Sequence, residues 1–194
     1  KLYKKNCYYK CIMDTGVKTF TIDSCYENQS SAEFHKLCCD WTLWAHLPHN
    51  TDWSIKSYID IQTFNTVEET IALAENVPPV LVENCMLFLM KKGIKPVWED
   101  EQNCSGGSFS YKISNKNVTT VWKHLIYAIV GNTCSDDVSF VKCVNGITIS
   151  PKKNFCIIKI WMSNCKYQNP SLVTNKITGL SSMGCLFKKH NPEY

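Results

Sequence analysis

Residues 118–131 read VTTVWKHLIYAIVG, and their periodicity decides the class of fold. Val118, Val121, Trp122, Leu125, Ile126, Ile129 and Val130 recur at the i, i+3, i+4, i+7 spacing of one helical face. Gly131 is the natural stop for that helix. Trp122 lies on the apolar face and reads as core. Around the helix the chain reads as sheet. Gly106-Gly107 turns into a strand over 108–114, and strands follow at about 138–149 and 155–163. Residues 36–64 read as two strands rich in Trp, Ile, Tyr and Thr, split by the turn Pro48-His49-Asn50. Trp41 and Trp44 differ by an odd number and so face opposite sides of their strand. A second helix opens at Thr66, which forms a capping box with Glu69, and Pro78-Pro79 stops it. Residues 80–91 read as an apolar strand. A short helix opens at Asn169-Pro170 and ends near Gly179, and a last strand runs near 183–189. Strands in runs, with helices as separate insertions, predict an α+β fold: a largely antiparallel sheet with helices stacked on one face.

At 194 residues the chain has room for one domain with its own core. A net charge of +4 permits an anionic ligand without demanding one. All of the positive charge is lysine, so a phosphate grip must use point charges and backbone N–H groups in place of arginine forks. The 12 cysteines contain no C-x-x-C pair, which argues against zinc. Several sit in apolar runs, where they act as small hydrophobes. There is no signal peptide or membrane-spanning stretch in the sequence.

Two tryptophans stand apart from the core pattern. Trp53 follows His49-Asn50-Thr51-Asp52, and Trp98 precedes Glu99-Asp100-Glu101. An indole face attracts cations. A neighbouring carboxylate accepts from two adjacent N–H donors, such as those on the edge of a guanine. The bland readings are an indole buried at a loop edge and a solvated acidic turn. Paired carboxylates also do acid–base chemistry, but no His or Cys is placed to join them. With no nucleophile, metal set or phosphate-cradling glycine loop, an enzyme is disfavoured, and neither metal nor cofactor is expected.

These residues belong to a longer in-order set. It comprises His35-Lys36-Leu37, Trp41-Thr42-Leu43-Trp44, Trp53, Phe64-Asn65-Thr66-Val67-Glu68, Gly93-Ile94 and Pro96-Val97-Trp98-Glu99-Asp100-Glu101, then Gly106-Gly107, Val121-Trp122, Gly131 and Ile160-Trp161. In order and spacing the set resembles the eukaryotic translation initiation factor 4E family, which binds the 7-methylguanosine cap of messenger RNA. The resemblance spans residues 35 to about 165 and is loose beyond. It implies a curved, mostly antiparallel sheet of about eight strands backed by three helices on the convex face, with the cap on the concave one. Residues 35–194 would be the cap-binding domain and 1–34 an N-terminal extension packed on the body.

By resemblance, Trp53 and Trp98 match the two indoles that sandwich the methylated base, and Glu99 matches the carboxylate on its edge. Trp161 matches the indole against the methyl group. The family's phosphate-binding arginine falls near Ser150 or Lys152, so the phosphates are assigned to Lys152 first, then Lys159 and Lys153. Lys159 shares strand parity with Trp161. On the convex face the family receives a partner helix. Val67 is kept there, but Ile71 replaces a tryptophan, and Lys123 and Tyr127 stand at positions that are usually leucine. The resemblance therefore implies a cytoplasmic, monomeric, non-catalytic cap-binding protein that promotes translation initiation. Its partners would be capped messenger RNA and a scaffold-type initiation factor or a divergent equivalent. The alternative is a homologue that represses or protects messages without the usual scaffold.

Overall fold

The computed structural model describes residues 34–174 and 176–192. In chain order these form β1 (Lys36–His46), β2 (Tyr58–Thr66), α1 (Val67–Asn76), α2 (Pro79–Asn84), β3 (Met86–Lys91), β4 (Gly107–Ser114), α3 (Asn115–Val130), α4 (Val138–Lys142), β5 (Val144–Pro151), β6 (Phe155–Met162) and β7 (Leu186–Lys189). The strands make one sheet in the order β2-β1-β3-β5-β6-β4-β7, with every neighbouring pair antiparallel. The α+β class holds, but the counts differ. Among the described residues there are seven strands, not eight, and four α-helices, not three. The expected N-terminal extension falls on residues outside those described, apart from Phe34.

Helix starts follow local chemistry. At α1 the Thr66 hydroxyl accepts from Glu69 N at 3.2 Å, and the Glu69 carboxylate accepts from Thr66 N at 3.2 Å. Such a cap is worth about 1 kcal/mol. Along α3 the periodic residues from Val118 to Val130 are all buried. Two expected strands are corrected. Residues 80–91 divide, because Pro79 pre-sets the first turn of α2 and the sheet resumes only at Met86. Residues 138–149 divide as well. The Asp137 carboxylate accepts from Ser139 N at 2.8 Å and Phe140 N at 3.2 Å, which starts α4, and β5 begins at Val144. The helix expected over 169–179 is a single 3-10 turn, Pro170–Leu172, and the last strand shortens to Leu186–Lys189.

The sheet has two unlike faces. One carries Trp41, Leu43, Leu87, Leu89, Ile147 and Ile160 into the main core with the α3 face. Cys134 and Cys156 fill space there as unbridged thiols. The other face carries a small cluster of Tyr58, Phe88, Met90 and Trp161, with Trp44 against it. Trp41 and Trp44 thus lie on opposite faces, as their odd separation requires.

Two bulges re-aim side chains toward the second face. In β2, Gln62 pairs with Leu43 but Asp60 pairs with Trp44, so Ile61 is an extra residue. Strand parity alone would place Tyr58 with the core residue Phe64, and the bulge turns it over. In β5, Val144 pairs with Met162 but Gly146 pairs with Trp161, which makes Asn145 the extra residue.

Candidate ligand-binding site

A cavity of about 440 Å³ opens on the second face of the sheet. Trp53, Trp98 and Glu99 line it together with Trp161, Lys152 and Lys159. Residues from two loops, four strands (β2, β3, β5 and β6) and a hairpin turn therefore converge on one concavity.

Trp53 sits on the loop between β1 and β2 and is 56 % exposed. The Asp52 carboxylate folds that loop back by accepting from Ser54 N at 2.8 Å and Ser54 Oγ at 3.0 Å. His46, buried at the end of β1, donates from Nε2 to the Asp52 carbonyl oxygen at 2.9 Å. The two rings stack, with centroids 4.3 Å apart and planes 2° apart. His46 also meets Tyr58 edge-on at 5.0 Å. Burial, and secondly the nearby Glu99 carboxylate, push the Tyr58 phenol up to about 12, so it stays a neutral O–H.

Trp98 sits on the loop between β3 and β4 and is 38 % exposed. Gly93, at φ +90°, turns the chain out of β3 in a conformation that side chains resist. The Asp100 carboxylate accepts from Lys95 N at 3.0 Å and Gln102 N at 2.9 Å. Asn103 has no exposed surface. Its amide donates to the carbonyls of Lys95 and Val97, both at 2.9 Å, within the three residues before Trp98. The bulge residue Asn145 donates to Gln102 O at 2.7 Å and Asn103 Oδ1 at 2.9 Å. Asp100 therefore works inside the loop, and Asn103 and Asn145 tie the loop to the sheet.

His190 completes this scaffold from the far end of the chain. Its Nδ1 donates to Asn103 O at 2.8 Å. Its ring stacks on Trp98 at 5.8 Å and 11°, and packs on Trp161 at 4.8 Å. Burial lowers its pKa, so the neutral imidazole prevails at pH 7. Each exposed indole is thus backed by a buried histidine, which fixes the ring without burying it.

Met86, Phe88, Pro96 and Val97 give the cavity an apolar floor, and its remaining groups are cationic or polar. Lys159 Nζ lies 5.7 Å from the Trp98 ring centroid, so this indole already draws a cation. Burial lowers the Lys159 pKa, and the charges of Lys152 and Lys188 lower it further. Thr148 Oγ1, Trp161 Nε1 and His190 Nε2 are buried without a protein hydrogen-bond partner. Thr148 and Trp161 line the cavity, and a buried polar atom with no protein partner suits a site that receives a polar ligand.

Most of the site residues expected from the sequence therefore share one cavity: Trp53, Trp98, Glu99, Trp161, Lys152 and Lys159. Lys153 lies on the β5–β6 turn and does not line it. Tyr58, His46, Asn103, Asn145 and His190 were not singled out from sequence. On the opposite side of the molecule Val67, Ile71 and Tyr127 line a second hollow. Lys123 stands beside it. Glu75 accepts from Lys123 Nζ at 3.0 Å and from Tyr127 Oη at 2.7 Å. Those bonds, the Tyr127 one foremost, lower the Glu75 pKa.

Among the described residues no group of three or more His, Cys, Asp or Glu is placed to hold a metal ion, and no helix is long and apolar enough to cross a membrane. A family model described as Eukaryotic initiation factor 4E matches residues 36–190. Eukaryotic translation initiation factor 4E of Candida albicans is 31 % identical over 160 residues, covering 75 % of this chain and 74 % of that protein. The crystal structure of Ascaris suum eIF4E-3 with an m7G cap superposes with a TM-score of 0.61 at 25 % identity, over 69 % of this chain and 76 % of that one. A schistosome eIF4E complexed with m7GpppG and 4E-BP superposes with a TM-score of 0.63 at 20 % identity, over 70 % of this chain and 75 % of that one.

Proposed function

This chain belongs to the eukaryotic initiation factor 4E family, and from that membership and the geometry of its cavity we propose that it binds the 7-methylguanosine cap of messenger RNA and promotes translation initiation. The observation that carries the reading is the convergence of two half-exposed indoles, a carboxylate and two lysines on one cavity. The curved sheet of the family would hold the cap in its concavity. Methylation at N7 makes guanine a flat cation, and Trp53 and Trp98 present the electron-rich faces such a ring prefers. Glu99 accepts from the two N–H donors on the guanine edge, and Trp161 faces the methyl group. Lys152 and Lys159 take the phosphates as point charges. The site stacks and hydrogen-bonds its ligand and breaks no bond.

Tryptophan fluorescence quenching tests this. 7-Methylguanosine triphosphate is expected to bind about tenfold tighter than GTP, as two partly exposed cation–π contacts of roughly 0.7 kcal/mol each imply. Equal affinity for the two would refute the reading.

For the other side of the molecule the proposal is a helical protein partner laid into the hollow between α1 and α3. Val67 and Ile71 are large, exposed and apolar there. Ile71 offers no indole to such a helix, and Glu75 holds both Lys123 and Tyr127. These features favour a partner other than the ordinary scaffold motif, which keeps open the second reading of a repressor or protector of messages. A standard scaffold-motif peptide is expected to bind weakly, and tight binding that is lost on Ile71→Ala would contradict this.

A further inference from the structure

Beyond the cap cavity the same face of the sheet continues across β4 to the edge strand β7. Trp161 pairs with Ser108, and Ser108 pairs with Lys188, so the three form one row across the sheet. Residues directly opposite one another on paired strands share a face. The next row along pairs Phe109 with Phe187, and these rings meet at 4.9 Å on the core side. Lys188 therefore faces the ligand side with Trp161, and Lys189, in the row of Gly107 and Met162, faces the core side. The proximity is electrostatic as well as topological, since the Lys188 charge acts on Lys159.

The chemistry of this strip is one-sided. Strands β4, β6 and β7 contain no Asp or Glu. Their ligand-side positions include Ser108, Ser110, Lys159 and Lys188. Neither Lys159 nor Lys188 takes part in an ion pair among the described residues. Lys188 is exposed. It stands two strand spacings, about 10 Å, from Trp161. Hydroxyls and ammonium groups with no carboxylate among them suit a polyanion that runs out of the cavity over β4.

We propose that Lys188 contacts the phosphodiester backbone of the first nucleotides beyond the cap, so that β7 forms an RNA track continuous with the cap cavity. This rests on the cap-binding reading above, because the cap is what delivers the RNA chain to β4. A capped RNA engages one more lysine than a cap dinucleotide does. For single strands each neutralised phosphate contributes about 0.7 to the slope of log affinity against log salt. One contact is thus worth about fivefold in affinity at 0.1 M salt.

The experiment measures affinities for m7GpppG and for a capped five-nucleotide RNA, each over a salt series, in wild type, Lys188→Gln and Lys189→Gln. Wild type is expected to bind the capped RNA about fivefold tighter than m7GpppG at 0.1 M salt. Lys188→Gln removes that gain, lowers the salt slope by about 0.7 and leaves m7GpppG binding unchanged. Lys189→Gln, on the other side of the strand, keeps the gain. No gain in wild type, or a gain that survives Lys188→Gln, overturns the track and leaves the cap reading standing if m7GpppG binds. Failure of wild type to bind m7GpppG overturns both. Equal loss of the gain in both variants also overturns the track, since it would mean a diffuse charge effect without a placed contact.

Discussion

Replacing Trp98 with alanine is expected to weaken binding of 7-methylguanosine triphosphate about 30-fold, or about 2 kcal/mol, the range for losing one stacked base. The site is arranged so that this loss is local. Trp98 keeps over a third of its surface in solvent, and it lies outside the main core cluster. Its loop is tied down by Asp100 and Asn103, and neither bond network uses the indole. Removing the ring therefore takes away the stacking face while the loop and Glu99 remain in place. Trp53→Ala is expected to follow at the lower end of the same range, because a more exposed indole makes a weaker cation–π contact. Isothermal titration calorimetry reads both losses, and the thermal midpoint of each variant serves as control. Unchanged affinity in both variants, at unchanged thermal midpoints, would remove the sandwich from the mechanism and leave Glu99 and the lysines to bind alone.

The parts of the fold legible in sequence were those whose signal is local. Val118 to Val130 repeat with the helical period, and the Thr66–Glu69 capping box declares its own helix start. Residues 80–91 and 138–149 failed for one physical reason. Short apolar runs suit a buried helix turn as well as a strand, and only Pro79 and Asp137 mark the switch. The site divides in the same way. The indoles and Glu99 are conspicuous by type, in polar stretches where an indole needs a reason. Their supports are not. Tyr58 reaches the cavity face only because Ile61 is an extra residue in β2, a property of pairing between strands. His190 is 92 positions from Trp98 in the chain, and nothing near it in sequence points to a ring stack. Asn103 looks like any polar residue of an exposed turn. Its full burial comes from contacts distant in sequence, with Asn145 of the sheet and with His190.

Asn103→Ala is accordingly expected to be the most damaging single change near the site, lowering the free energy of unfolding by about 3 kcal/mol. The side chain is fully buried and uses both amide hydrogens and its oxygen. Alanine leaves the carbonyls of Lys95 and Val97 and one Asn145 amide hydrogen without that partner. A buried polar group left unsatisfied costs about 1–3 kcal/mol, and some relaxation toward solvent keeps the sum near the lower bound. Urea unfolding is expected to show a lower midpoint at an unchanged slope, the signature of a weakened native state. Cap affinity should fall as well, because the freed carbonyls belong to Val97, next to Trp98, and Lys95, three residues before it, and the ring then pays an ordering cost on binding. Asn145→Ala is the graded comparison. It removes the donor to Gln102 and Asn103 Oδ1 but leaves both bonds to Lys95 and Val97, so both losses should be smaller. Asn103→Asp keeps the volume but sets a carboxyl against those two carbonyls, which either carries a buried charge or, protonated, keeps a single donor. If Asn103→Asp matched wild type in midpoint and affinity, the loop would owe its position to packing alone. Coupled loss of stability and cap binding in both Asn103 variants, with the smaller effect at Asn145, is the pattern that one buried amide holding the Trp98 loop requires.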